Sequence, residues 1–238
     1  MLSDTMQPTM SPSPSPTLRQ HRTRRSVWTA CLAAMLSVLL LALAPRAAKA
    51  WHSTDLTGAM PDLAFTMTRA KDGKTVTAAD FKGRIVLLYF GYTFCPDVCP
   101  TTLLSISTML TKLGPKADDV RVLFVTVDPN RDTLGVLKQY TQAFAPQVVG
   151  LRGTPDQLAA LAKRYRLAYS VQPARDGKAY EVTHSSAVYA FDRSGAAKLL
   201  LSGLATPDAK TDDTFADLRQ LVSQSGHPSF WQRLLQWL

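Results

Sequence analysis

Two cysteines four positions apart, Cys95 and Cys99, lie in the stretch Gly91-Tyr92-Thr93-Phe94-Cys95-Pro96-Asp97-Val98-Cys99-Pro100-Thr101. A thiolate attacks disulfides or binds soft metal ions, so a close pair offers dithiol redox chemistry or two sulfur ligands. The plainer alternative is a structural disulfide, although a bridge closing so short a loop stabilises little in the chain-entropy account. The third cysteine, Cys31, falls inside a long apolar run and reads as a small lipid-facing residue. With only Cys95 and Cys99 remaining, neither a disulfide framework nor a four-cysteine zinc site can be built.

The flanking sequence says how such a pair is positioned. Ahead of it, Arg84-Ile85-Val86-Leu87-Leu88-Tyr89-Phe90 is almost continuously apolar, as a strand buried on both faces must be. Behind it, Pro100 opens a segment with Leu103, Ile106, Leu110 and Leu113 at helical spacing, stopped by Gly114 and Pro115. The pair thus occupies a strand-to-helix turn, where free amides and the helix dipole are expected to stabilise a thiolate. Downstream, Val120 to Val127 reads as a second buried strand, ending at Asp128-Pro129-Asn130-Arg131-Asp132-Thr133. Asp132 or Thr133 can cap the next helix, which carries Leu134, Leu137, Tyr140 and Phe144. Val148 to Leu151 is a short strand and Thr154 to Arg166 another helix. A strand at Ala168 to Val171 and a polar loop come next. A hairpin follows, Val188 to Phe191 with Lys198 to Leu201, turning at Asp192-Arg193-Ser194-Gly195, and a last helix runs from about Asp213 to Ser223. Upstream, Leu63, Phe65 and Met67 alternate as in a strand, and Asp72-Gly73-Lys74 turns into Thr75-Val76-Thr77. Strands alternating with helices, then a hairpin and a helix, describe an α/β domain: a mixed sheet flanked by helices, thioredoxin-like in layout. Chemistry in such open sheets sits beyond the carboxyl ends of the strands, where the cysteines are.

The net charge of +9 is unevenly spread. Residues 1–50 hold six Lys and Arg against one acidic residue, leaving 21 basic and 17 acidic residues, a net +4, on residues 51–238. That balance, without a dense basic run, argues against nucleic-acid binding. Residues 1–25 read as a disordered leader, rich in Ser and Pro, with Arg19, His21, Arg22, Arg24 and Arg25 at its end. Residues 26–45 carry no charge and are long enough to span a bilayer, with the basic side in the cytoplasm. They form either a retained transmembrane anchor or a signal segment cut after Ala48-Lys49-Ala50. Either way the folded domain is expected on the extracytoplasmic, periplasmic side of the inner membrane. Residues 226–238 end the chain with an apolar face made by Phe230, Trp231, Leu234, Leu235, Trp237 and Leu238, suited to a membrane interface, to the domain or to a partner.

Three blocks in this order, Gly91 to Pro100, then Val125-Thr126-Val127-Asp128-Pro129 with Arg131-Asp132-Thr133, then His184-Ser185, resemble the Sco/SenC family over roughly residues 58–225. That resemblance implies a membrane-tethered, thioredoxin-like copper protein serving assembly of the CuA centre of cytochrome c oxidase. It implies that Cys95, Cys99 and His184 are the copper ligands, and that the partner is a copper-receiving oxidase subunit or another copper chaperone. One departure is visible: many members have an acidic residue just before the histidine, and here it is Thr183, which leaves open what orients the ring.

The residues support the same chemistry. Three residues between the cysteines allow both sulfurs to converge on one ion. Two thiolates with an imidazole make a soft, low-coordinate set for Cu(I) that also accepts Cu(II). Around it, Asp128 either hydrogen-bonds the cysteine loop or serves as a turn and helix cap, while Tyr92 and Phe94 either shield the site or pack. Two rival functions use the same pair through a Cys95–Cys99 redox disulfide: a thiol–disulfide reductase and a redox or copper sensor. Against the reductase, Thr183-His184-Ser185-Ser186 lacks the proline that thioredoxin-like reductants place beside their cysteines.

Overall fold

A computed structural model describes residues 50–172, 180–206 and 211–224. The proposed leader 1–25, the apolar segment 26–45 and the tail 226–238 lie outside these residues. Among the described residues no helix is long and apolar enough to cross a membrane.

The strands are β1 (Thr54–Asp55), β2 (Thr66–Arg69), β3 (Thr75–Thr77), β4 (Ile85–Gly91), β5 (Val120–Thr126), β6 (Val148–Arg152), β7 (Tyr169–Gln172), β8 (Glu181–His184), β9 (Val188–Phe191) and β10 (Ala197–Leu201). The helices are α1 (Val98–Leu113), α2 (Leu134–Gln142), α3 (Pro155–Arg164) and α4 (Thr211–Gln224). Eight strands form one sheet in the order β1-β10-β9-β4-β5-β6-β2-β3. Its centre, β4-β5-β6, is parallel, and β9 pairs antiparallel with β4 on the other side. This is the mixed α/β sheet that the alternation of patterns predicts.

All seven residues of β4 are buried, which requires cover on both faces of the sheet. In α1 the stripe Cys99, Leu103, Ile106, Leu110 and Leu113 is buried, the face that the helical spacing predicts. β4 and β5 run in register from Ile85↔Val120 to Gly91↔Thr126, so both end at the same edge, where the cysteine loop and the Asp128 turn emerge side by side.

Three elements differ from the sequence reading. Helix α1 starts at Val98, two residues before Pro100, so Cys99 lies inside its first turn. Pro100 is tolerated there because the first four helix amides have no internal acceptor. The stretch before β9 is not simply a polar loop, since β8 pairs antiparallel with β7 in a separate two-stranded sheet, Tyr169 opposite His184. His184 therefore ends β8, three residues short of β9, the strand that pairs with β4. The alternation from Leu63 yields a strand only from Thr66; earlier, the Leu63 amide bonds the Gly195 carbonyl and the Ala64 amide the Tyr165 hydroxyl.

Candidate metal centre

The site is built on the end of β4. After Gly91 the chain turns through Tyr92 to Asp97, closed by a bond from the Cys95 amide to the Tyr92 carbonyl at 3.3 Å. Helix α1 then begins, and its Cys99 amide donates to Cys95 Sγ at 3.3 Å. Cys95 is half-buried, Cys99 is fully buried, and both are free thiols. His184 arrives from β8, and its Nε2 lies 3.1 Å from Cys99 Sγ. One ligand atom from each of the three residues falls within 4.8 Å of the others.

The proton positions follow from the partners. His184 Nδ1 is 2.9 Å from the Ser185 carbonyl, which can only accept, so Nδ1 carries the hydrogen. Nε2 then presents a bare lone pair to Cys99 and accepts a hydrogen bond from its thiol. Burial holds the His184 pKa below its ordinary value, keeping the imidazole neutral. The Ser185 carbonyl thus orients the ring, the task left open by Thr183. The ring edges of Tyr92 and Tyr89 bracket the imidazole, with centroids 5.7 and 6.2 Å away.

The expectation of a thiolate at the helix terminus fails for Cys99. Burial pushes its thiol up to about 12, outweighing the Tyr92 amide that favours the anion. A dry sulfur without a cation beside it keeps its proton.

These residues fit a soft metal ion. The donor set is two sulfurs and one unprotonated nitrogen. The Tyr89 hydroxyl is buried beside Thr102 and Cys99 without a well-formed hydrogen bond to either. A thiolate at Cys99, were a cation to displace its proton, would supply a stronger acceptor for this hydroxyl.

The carboxylate that grips the cysteine loop is Asp132, not Asp128. Fully buried Asp132 accepts from the Thr93 amide at 3.0 Å, the Thr93 hydroxyl at 2.6 Å and the Thr126 hydroxyl at 2.5 Å. Helix capping falls to Thr133, whose side chain accepts from the Val136 amide. Asp128 is only 2% exposed and binds Arg131 and the Tyr180 hydroxyl. The sequence reading assigns the loop contact to Asp128 and only a helix cap to Asp132; the parallel register of β4 and β5 is what brings Thr93 and Thr126 to Asp132. Tyr92 is buried against His184, whereas Phe94 is 57% exposed.

Gly91 is required for space. A Cβ there would lie 2.5 Å from Phe124 Cε2 and 3.0 Å from Cys99 Sγ. Gly91→Ala should cost about 1–3 kcal/mol through overpacking and displace the Cys99 sulfur. A drop in the thermal unfolding midpoint checks this; an unchanged midpoint contradicts it.

The chain matches the SCO1/SenC family model over residues 57–222. It is 41% identical over 125 residues to the mitochondrial Protein SCO2 homolog of Bos taurus, covering 52% of this chain and 47% of that protein. The chain therefore spans about half the length of that relative. Among solved structures, Bradyrhizobium japonicum ScoI with copper bound is 37% identical with a TM-score of 0.59, covering 67% of this chain and 98% of that one. Apo Sco1 from Thermus thermophilus is 34% identical with a TM-score of 0.63, covering 74% and 99%. With the family match taking in the whole sheet core and the three converging side chains, the chain belongs to the SCO1/SenC family.

Proposed function

We propose that this domain carries copper. Cys95, Cys99 and His184 hold one ion and release it to an oxidase subunit during assembly of its CuA centre, or exchange it with another copper chaperone. The observation that carries this reading is the convergence of two sulfurs and the bare Nε2 of a neutral imidazole within 4.8 Å. Relatives of the same fold, from Bradyrhizobium japonicum and Arabidopsis thaliana, have been solved with copper bound, which supports the choice of metal. The thiols lose their protons on loading, the imidazole contributes its lone pair without losing one, and Tyr92 and Tyr89 keep the ring in place.

One observation favours the reductase as second reading. A half-buried Cys95 whose sulfur accepts from an amide, next to a fully buried Cys99, is the arrangement of an attacking and a resolving thiol. In that reaction both thiols give up their protons and two electrons to a partner disulfide and close the Cys95–Cys99 bridge. The two readings part in one assay. A carrier lowers free copper by one equivalent per chain and reduces insulin disulfides slowly. Efficient catalytic turnover with a thiol-recycling system, unaffected by His184→Ala, selects the reductase instead.

The domain is placed on the periplasmic face of the inner membrane, on the support of the Arg19 to Arg25 cluster before the charge-free run 26–45. A reporter active only outside the cytoplasm, fused after Leu238, should be active; an inactive fusion with intact protein overturns the orientation.

A further inference from the structure

His184 is carried by β8, whose ladder partner is β7 and not any strand of the main sheet. Pairing with β7 shapes the hairpin but does not fix it against the cysteine loop. Val182 is buried and contributes to that attachment, yet an apolar contact leaves the ring's approach loosely defined. Apart from the His184–Cys99 contact itself, the directional contacts lie just before the strand. Tyr180 donates its hydroxyl to Asp128 Oδ1 at 2.6 Å, and Asp128 is ion-paired with Arg131. The Arg131 guanidinium stacks 4.0 Å from the centroid of the Tyr180 ring and donates to the Tyr180 carbonyl at 3.4 Å. It also lies 5.7 Å from the centroid of the Tyr92 ring and 5.2 Å from that of the Phe94 ring. Arg131 therefore sits between the root of β8 and the loop bearing Cys95, held by a carboxylate from the turn after β5.

We propose that Asp128, Arg131 and Tyr180 form a latch that positions His184, so that they decide whether an ion held by the cysteines also receives the imidazole nitrogen. This rests on His184 being a ligand. The latch residues are positioning residues, since none of them offers an atom to the site. Their effect falls on oxidation state: Cu(I) is satisfied by two sulfurs, whereas Cu(II) needs the nitrogen as well. Opening the latch leaves a site that keeps Cu(I) and loses Cu(II).

The test uses the full chain in detergent, with Tyr180→Phe, Asp128→Asn and His184→Ala. Each variant is loaded separately with Cu(I) and Cu(II), and the unloaded protein is followed by hydrogen exchange of the β7 and β8 amides. Tyr180→Phe keeps the ring on Arg131 and removes only the hydroxyl. It should weaken Cu(II) about 10-fold, reduce the nitrogen coupling in the Cu(II) magnetic resonance spectrum and change Cu(I) less than twofold. Exchange along β8 should accelerate in the unloaded protein. Combined with Asp128→Asn, the losses should be less than additive, as for residues acting in one network. If His184→Ala weakens Cu(II) but Tyr180→Phe leaves Cu(II) affinity, nitrogen coupling and exchange unchanged, the latch is wrong. Equal losses of Cu(I) and Cu(II) in Tyr180→Phe overturn it too, because they report general loosening. If His184→Ala itself changes nothing, the ligand reading fails, and exchange along β8 still shows separately whether the latch holds the strand.

Discussion

Cys99→Ser is expected to abolish binding of both Cu(I) and Cu(II). Cys99 is fully buried, and its sulfur lies 3.1 Å from His184 Nε2. Serine fits the same space and its hydroxyl can still donate to Nε2, so the fold should survive at a cost of about 1 kcal/mol. What disappears is the thiolate, for which a neutral hydroxyl is a poor substitute toward a soft ion. The native protein should show the pH signature of that thiol. Its pKa is raised to about 12, so it is protonated at neutral pH and must release its proton to bind metal. Each proton released makes affinity rise about tenfold per pH unit below the pKa. His184 adds no such dependence above its lowered pKa, because it is already neutral. Copper titrations between pH 6 and 9 should therefore show affinity climbing with pH in the native chain, and no measurable binding in Cys99→Ser. Retained stoichiometric binding in the variant removes Cys99 from the ligand set.

His184→Ala should separate the two oxidation states. Two sulfurs suffice for a two-coordinate Cu(I) site, so that affinity should fall only partly. Cu(II) prefers nitrogen and more ligands, and its affinity should fall at least 10–100-fold, the range for losing even an outer partner of a metal site. The alanine also removes the ring that Tyr89 and Tyr92 bracket, but the change lies at the end of a short strand and leaves the main sheet intact. The sulfur-to-copper charge-transfer absorption of Cu(II) is the readout. An unchanged spectrum and affinity would show that His184 is not a ligand and move the cysteines toward dithiol chemistry.

How much of this is legible in the sequence depends on the range of the interaction. Strands β4 and β5 and the β9–β10 hairpin are apolar runs bounded by turn residues, and their existence follows from local pattern. The start of α1 is displaced because Pro100 looks like a first helical residue, whereas the helix absorbs it in its amide-poor first turn. Strand β7 nearly coincides with the strand read at Ala168 to Val171. Its partner β8 is hidden in the stretch read as a polar loop, because so short a strand, with Val182 buried between polar neighbours, leaves little periodicity to read. Cys95, Cys99 and His184 are nameable from residue type and family pattern, yet their meeting depends on the fold, since His184 lies 85 positions after Cys99. The protonated state of Cys99 is not legible at all. The helix terminus argues for a thiolate, and only the depth of burial reverses it. Asp128 and Asp132 illustrate the same limit, since two aspartates of one turn take opposite tasks. One faces the cysteine loop through Thr93, and the other faces the root of β8 through Tyr180. Tyr180 itself gives no sequence signal beyond being an aromatic residue near a candidate ligand.

The central claim is that one copper ion is held by Cys95, Cys99 and His184 together. X-ray absorption at the copper edge, on full-length protein loaded anaerobically with one equivalent of Cu(II) and then reduced, tests it most directly. The account predicts two sulfur scatterers and one imidazole nitrogen in the Cu(II) form, two sulfurs retained after reduction, and loss of the imidazole signal in His184→Ala. A copper environment of oxygen and nitrogen alone, or one unchanged by His184→Ala, would contradict it.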